Sequence, residues 1–174
     1  MRPATDPPPD VRELPLRPPV HQVHPRAIHW WRLRAAVTLA VLLAPQVVAG
    51  VLAGPEIASW LTGTAIATVV LVAVYAVVVP PWLYHIHRWE VTDEAVYTLS
   101  GWLVREWRIA PVSRVQTVDT QRGPLQQLLG LATVTVTTAS ARGPVKISGL
   151  AADDAAELAR VLTERTHATP GDAT

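Results

Sequence analysis

The sequence predicts a membrane-anchored α+β protein, in which a two-helix transmembrane hairpin is followed by a small antiparallel β domain capped by a C-terminal helix. Only 17% of the 174 residues are charged and 49% are hydrophobic, whereas about 25% of the residues in a typical soluble domain are charged. The mean hydropathy is positive, at +0.23. Glu56 is the only charged residue between Arg34 and Arg88. Beyond Arg88, short apolar runs alternate with turn residues, as in a sheet of short strands.

Residues 1–28 are predicted to be a disordered, proline-rich cytoplasmic tail, and residues 169–174 a disordered C-terminus. Eight of the sixteen prolines lie within the first 25 residues. Proline lacks an amide donor and disfavours helix in the residue before it, so regular structure is not expected there. A proline-rich ligand for another protein has the same composition as a solvated tail, and both interpretations stay open.

Residues 29–87 are predicted to form the transmembrane hairpin, with spans over about residues 33–53 and 60–84. The uncharged segment 35–55 reaches roughly 31 Å at about 1.5 Å per residue, close to the hydrocarbon thickness of a bilayer. Both segments are apolar on every side, which excludes a surface helix with one apolar stripe. Two buried core helices would need more surrounding protein than this chain supplies. A signal peptide cleaved after Ala53 is disfavoured by its long proline-rich leader.

The residues that flank the spans predict the orientation of the hairpin. Arg32 and Arg34 precede the first span, Arg88 follows the second, and the connecting loop has no basic residue. By the positive-inside rule, both termini then face the cytoplasm. Tryptophan and tyrosine are enriched at the same membrane interfaces. The predicted interface anchors are Trp30, Trp31, Arg32, Arg34, Trp82, Tyr84 and Arg88.

Residues 88–168 are predicted to form the β domain. Strands are expected over residues 88–92, 96–100, 102–109, 114–121, 131–138 and 145–148. Gly101 and Gly130 are predicted structural turns, because each ends a segment at which the chain reverses. A helix beginning near Asp153 has one apolar stripe that suits packing on a sheet. Strands of this number and length curl into a barrel or sandwich, and the helix caps its open end.

Four motifs of this region are specific enough to indicate a family. They are residues 89–94 (WEVTDE), 101–105 (GWLVR), 109–116 (IAPVSRVQ) and 121–132 (QRGPLQQLLGLA). Together with two preceding spans, they resemble the bacterial pleckstrin-homology-like (PH-like) family, and most closely its YdbS-like membrane-flanked proteins. The resemblance covers about residues 28–165. It implies a PH-like β-barrel at the inner leaflet of the bacterial cell membrane, and some relatives are associated with defence against membrane-active peptides.

The sequence contains no recognisable catalytic, cofactor-binding or metal-binding motif. It has no cysteine, no glycine-rich phosphate loop followed by lysine, and no nucleophile elbow. His85 and His87 would converge on a metal with Glu90 only if the segment were extended, so interfacial histidines are the simpler interpretation. We therefore expect no cofactor and no metal. An enzyme is the least favoured class, since no acid, base and nucleophile can be named.

The favoured function is a non-enzymatic interaction or scaffold domain that assembles with other membrane proteins or with itself. An open sheet edge or the groove beside the C-terminal helix is the expected contact surface. A lipid-sensing or envelope-defence component is the alternative, with Arg105, Arg108 and Arg114 as candidate lipid-head-group contacts. Residues 88–174 carry nine basic and ten acidic groups, and this net charge of −1 disfavours strong attraction to anionic lipid. No nucleic-acid partner is expected at an overall charge of +1, and no small-molecule substrate is evident.

Overall fold

The computed structural model describes residues 18–140 and 143–168. The elements in chain order are β1 (His21–Gln22), α1 (Arg26–Leu52), α2 (Pro55–Ile86), β2 (Arg88–Val91), β3 (Ala95–Ser100), β4 (Glu106–Pro111), a 3₁₀ turn (Val112–Arg114), β5 (Val115–Gln121), α3 (Pro124–Leu128), β6 (Leu131–Thr138), β7 (Val145–Ala151) and α4 (Ala152–Ala168). The predicted order of helical hairpin, antiparallel strands and closing helix is confirmed. The tail residues 1–17 and the C-terminal residues 169–174 lie outside the described part of the chain.

The helices α1 and α2 form the hairpin, and each is long and apolar enough to cross a membrane. Only 6% of the most apolar window of each helix is buried, which suits contact with lipid and not with a protein core. Gln46 joins the two helices, because its Nε2 donates to Oγ1 of Thr68 at 3.3 Å and its Oε1 accepts from Oγ1 of Thr64 at 3.2 Å. Hydrogen bonds between membrane helices contribute about 0.6–2 kcal/mol each.

The strands form two antiparallel sheets, one with the order β1-β2-β3-β4 and one with the order β5-β6-β7. Alternating apolar residues of both sheets, together with one face of α4, enclose the main core. It contains Val96, Ala110, Val112, Val115, Ala132, Val134, Val136, Val145, Ile147, Leu150, Ala155, Leu158 and Leu162. The two sheets are separate in their pairing, so the described domain is an open sandwich capped by α4 and not a closed barrel.

Residues 18–28 are ordered, although the sequence predicted a disordered tail up to residue 28. Strand β1 pairs with β2, and α1 begins at Arg26. The physical reason is burial, since Val23, Ala27 and Trp31 form a second apolar cluster. The prolines of this segment are compatible with it, because proline is tolerated beside an edge strand and at the start of a helix.

The third strand of the domain begins later than predicted. Residues 102–104 are bends, and β4 starts only at Glu106. Gly101 has a φ of +113°, and a β-carbon there would clash with the carbonyl oxygen of Val104. The chain thus folds back on itself before the strand begins. Three consecutive apolar residues favoured a strand by composition, but they lack the alternation of a half-buried strand.

Candidate membrane interface

The β domain packs directly on the hairpin through residues 18–27. The backbone N–H of His24 donates to the carbonyl oxygen of Gly149 in β7 at 2.9 Å. Gly149 has a φ of +84°, and a β-carbon on it would lie only 2.9 Å from Cβ of Ala27. The close approach of α1 to β7 therefore needs a residue without a side chain. The domain and the hairpin meet in a packed junction.

Trp31 lies in this junction and not at a lipid-facing surface. Its side chain is 7% exposed, and its ring centroid lies 5.4 Å from that of His87 and 6.1 Å from that of Trp30. Tyr84 packs against the same cluster. Burial lowers the pKa of His87, and a 2.8 Å hydrogen bond to the Leu83 carbonyl opposes this in part. Two predicted anchors thus serve packing at the junction.

Other predicted anchors remain accessible. The Trp82 side chain is 53% exposed. The guanidinium carbon of Arg34 lies 5.3 Å from the ring centroid of Trp30, which is a cation–π distance. Arg88 is half-buried at the start of β2, where the chain leaves α2. These residues lie at the end of the hairpin that carries the β domain.

Arg32 reaches α2 and bonds to a backbone carbonyl that Pro80 leaves without its helical donor. In a regular helix the oxygen of Ala76 accepts the N–H of residue 80, which proline lacks. The Nε of Arg32 donates to this oxygen at 3.3 Å instead. Its guanidinium is therefore held beside α2, level with Tyr75 and Ala76.

The apolar loop, residues 101–105 between β3 and β4, lies against α2 at this same level. The ring of Trp102 contacts that of Tyr75 edge to face, with 6.4 Å between centroids and 88° between planes. The side chains of Trp102, Leu103 and Val104 are 49%, 84% and 77% exposed. The sequence predicted a strand from residue 102, although a glycine followed by three apolar residues could have indicated this loop.

The three arginines predicted to contact lipid head groups do not converge. Arg105 ends the apolar loop, but Arg108 bonds to Oε1 of Glu106 at 2.8 Å and to the Pro144 carbonyl at 3.0 Å. Arg114 lies in the 3₁₀ turn at the far end of β4, and a strand of that length spans about 20 Å. Arg105 is the member of this set that borders the apolar loop.

Comparison with known proteins identifies this arrangement. The family model of the bacterial PH domain matches residues 33–166, from α1 to the last turns of α4. The chain belongs to the bacterial PH domain family. It is 33% identical over 127 residues to the transmembrane protein YdbS of Bacillus subtilis (strain 168), covering 70% of this chain and 78% of that protein. No solved structure matches the chain significantly.

The match confirms the predicted YdbS-like assignment, and it covers both the hairpin and the sheets. The family model begins inside α1 and runs through both sheets, so the hairpin and the sandwich are matched together. The name of the relative agrees with the length and composition of α1 and α2. This chain is a transmembrane protein with a bacterial PH domain.

The bacterial PH domain has an open groove beside α4, which is one of the two contact surfaces that the sequence left open. It has a volume of about 440 Å³ and is lined by four apolar side chains of β2 and α4 and by five polar or charged side chains of β1 and α4. The ring of His21 lies 5.1 Å from that of Trp89 along one wall. Arg165 on α4 pairs with Asp93 at 2.9 Å and donates to the Thr92 carbonyl at 2.7 Å. These contacts hold α4 against the β2–β3 turn.

The turn residue Gly130 and the histidines His85 and His87 were also singled out from the sequence. Gly130 has a φ of +65° just before β6 and thus turns the chain in a left-handed conformation. The ring of His85 faces that of Tyr84 at 5.7 Å, and His85 is exposed whereas His87 is half-buried. In residues 18–140 and 143–168, no group of three metal-binding side chains comes together.

Proposed function

We propose that this protein is a non-enzymatic integral membrane protein of the bacterial inner membrane that presents its PH domain to other proteins on the cytoplasmic side. The observation that carries the proposal is the direct packing of the domain on the hairpin, through Ala27 and Gly149. This packing fixes one end of the domain towards the bilayer. It leaves the groove beside α4 open to a partner.

The cytoplasmic orientation is supported by the distribution of basic residues. Arg32, Arg34 and Arg88 all lie at the domain end of the hairpin, and the connection between the helices has no basic residue. Positive charge near the ends of spans is retained in the cytoplasm. Both termini of the chain then face the cytoplasm.

The role as an interaction module is supported by the groove and by the effect of confinement. The lining of the groove includes the apolar side chains of Trp89, Val91 and Val161, and grooves with such apolar side chains accept a strand or an amphipathic helix. A domain held at the membrane meets other membrane proteins at an effective concentration of about millimolar. A contact of about 600–1,500 Å² is then sufficient for assembly.

Site-specific photocrosslinking in intact membranes tests this function. A photoreactive residue at Val161, in the groove, is compared with one at Ala156, an exposed position elsewhere on α4. We expect a reproducible protein adduct from position 161, either with another membrane protein or with a second copy. Adducts of equal yield from both positions, or adducts with lipid alone, would contradict the proposal.

Lipid sensing, with a role in envelope defence, is a second candidate because the apolar loop lies beside a spanning helix. The separation of Arg105 from Arg114 argues against one pocket for a lipid head group. Survival under membrane-active peptides separates the two candidates. Sensing through Arg105 predicts greater sensitivity in R105A than in R114A, whereas the interaction function predicts equal survival.

A further inference from the structure

We propose that the apolar loop inserts Trp102, Leu103 and Val104 into the membrane interface beside α2. The bacterial PH domain would then contact the bilayer directly, in addition to its two spanning helices. This inference rests on the transmembrane hairpin of the proposed function, but not on the side of the membrane that the domain occupies.

The depth of the loop follows from its contact with α2. From Pro55 to Tyr75 the helix rises about 30 Å, which equals the hydrocarbon thickness of a typical bilayer. With the turn before Pro55 at one edge of the hydrocarbon region, Tyr75 lies at the other edge, so the second span ends before residue 84, where the sequence predicted its end. Tyr75 contacts the ring of Trp102. The next residue, Ala76, accepts the hydrogen bond from Arg32. An arginine and an apolar loop thus meet α2 at the same depth, as at a membrane interface.

The composition of the loop fits this position and does not fit exposure to water. With the described residues as the only cover, its three apolar side chains are 49–84% exposed. Val77 and Val78, which follow Tyr75 in α2, are also apolar and are 67% and 58% exposed. Tryptophan favours the membrane interface, and Arg105 at the end of the loop suits the phosphate level.

The opposite end of the same sheet has the opposite character. The β2–β3 turn there contains Asp93 and Glu94, both exposed. Strand β2 begins directly after α2, so this acidic turn is at the end of the sheet farthest from the hairpin. The sheet is therefore apolar at the end near the membrane and charged at the far end, where Arg114 also lies. If water surrounded the loop on all sides, nothing would account for this difference between the two ends of the sheet.

Spin labels on single cysteines test the insertion in the full chain. The sequence has no native cysteine, so each variant carries one label. Leu103→Cys reports on the loop, Val47→Cys on the lipid-facing surface of α1, and Ser113→Cys on the far end of β4. The protein is placed in nanodiscs of phosphatidylethanolamine and phosphatidylglycerol. Collision with oxygen, which concentrates in lipid, is compared with collision with a water-soluble nickel chelate.

We expect the ratio of oxygen to nickel accessibility at position 103 to exceed that at position 113 and to approach that at position 47. A ratio at position 103 equal to that at 113 would overturn the insertion. A label at 103 that neither reagent reaches would show a protein cover instead, and would also overturn it.

The label at position 47 separates this inference from the function on which it rests. Lipid exposure at 47 with water exposure at 103 rejects the loop insertion alone. Water exposure at both positions shows that the hairpin does not span the bilayer, so the proposed function fails as well.

Discussion

Ala27 in the first turns of α1 touches the backbone of Gly149 in β7 so closely that a β-carbon on residue 149 would lie 2.9 Å from that of Ala27. These residues belong to the two parts of the molecule, the helical hairpin and the second sheet. The hydrogen bond from His24 to the Gly149 carbonyl joins the same segments. The packing of the PH domain on the hairpin thus includes a close contact between two small residues.

Gly149→Ala is expected to destabilise the full chain, because the added methyl group meets Ala27 in a backbone conformation that disfavours side chains. Steric overlap and positive φ each lower the free energy of unfolding by about 1–3 kcal/mol. Gly143→Ala is the matched control, since Gly143 has a φ of +78° but open space around its Cα. Thermal unfolding in detergent should show the larger loss for G149A. Equal losses would mean that the close approach to α1 is unimportant.

Gly130→Val is expected to lower the stability by about 1–3 kcal/mol, because a β-branched residue is strained at positive φ. The φ of Gly130 is +65°, and a β-carbon there would lie 3.4 Å from Nη1 of Arg26. The melting temperature of the variant measures the effect. An unchanged melting temperature would show that this turn does not need glycine.

Arg32→Ala is expected to destabilise the hairpin by about 1 kcal/mol, because the Ala76 carbonyl loses its hydrogen-bond donor. Pro80→Ala restores a backbone N–H that can bond to the same carbonyl. A double-mutant cycle measured by thermal unfolding therefore gives the decisive comparison. The loss caused by R32A should shrink in the P80A background. A loss of the same size in both backgrounds would contradict the role assigned to Arg32.

The junction should weaken in mild acid because of His87. Burial lowers the pKa of His87, which follows α2 and faces Trp31. The unfolded chain then binds more protons, so stability is kept above the ordinary histidine pKa of about 6.5 and is lost as the pH falls through the folded pKa. The melting temperature should drop between about pH 7.5 and pH 5.5, and less so in H87N. An equal drop in H87N would assign the pH dependence to another group.

Local patterns in the sequence were sufficient to predict the hairpin and most strands. A long uncharged segment predicts a span from its own composition. The alternation around Val134 and Val136 predicts a strand in the same way, without information on the strands that pair with it. Gly101 and Gly130 were identified for the same reason, because the need to reverse the chain is local. The packing of α4 on the sheets followed from the apolar stripe of one helix.

The junction could not be predicted, because it depends on contacts between residues far apart in the chain. Val23 and Ala27 belong to a segment rich in proline, and only their burial against distant elements makes it ordered. The separation of Arg105 from Arg114 likewise depends on β4, which lies between them. Trp102 was assigned to a strand because bulky apolar residues favour strands and membrane surfaces alike.

We propose that the hairpin crosses the membrane twice and holds the PH domain in the cytoplasm. Fusion of a reporter that is active only outside the cytoplasm tests this topology. We expect the reporter to be silent after Thr174 and active after Ala53, in the connection between α1 and α2. A reporter active only in the cytoplasm should give the reverse pattern. Activity of the external reporter after Thr174 would place the C-terminus outside the cytoplasm and overturn this topology.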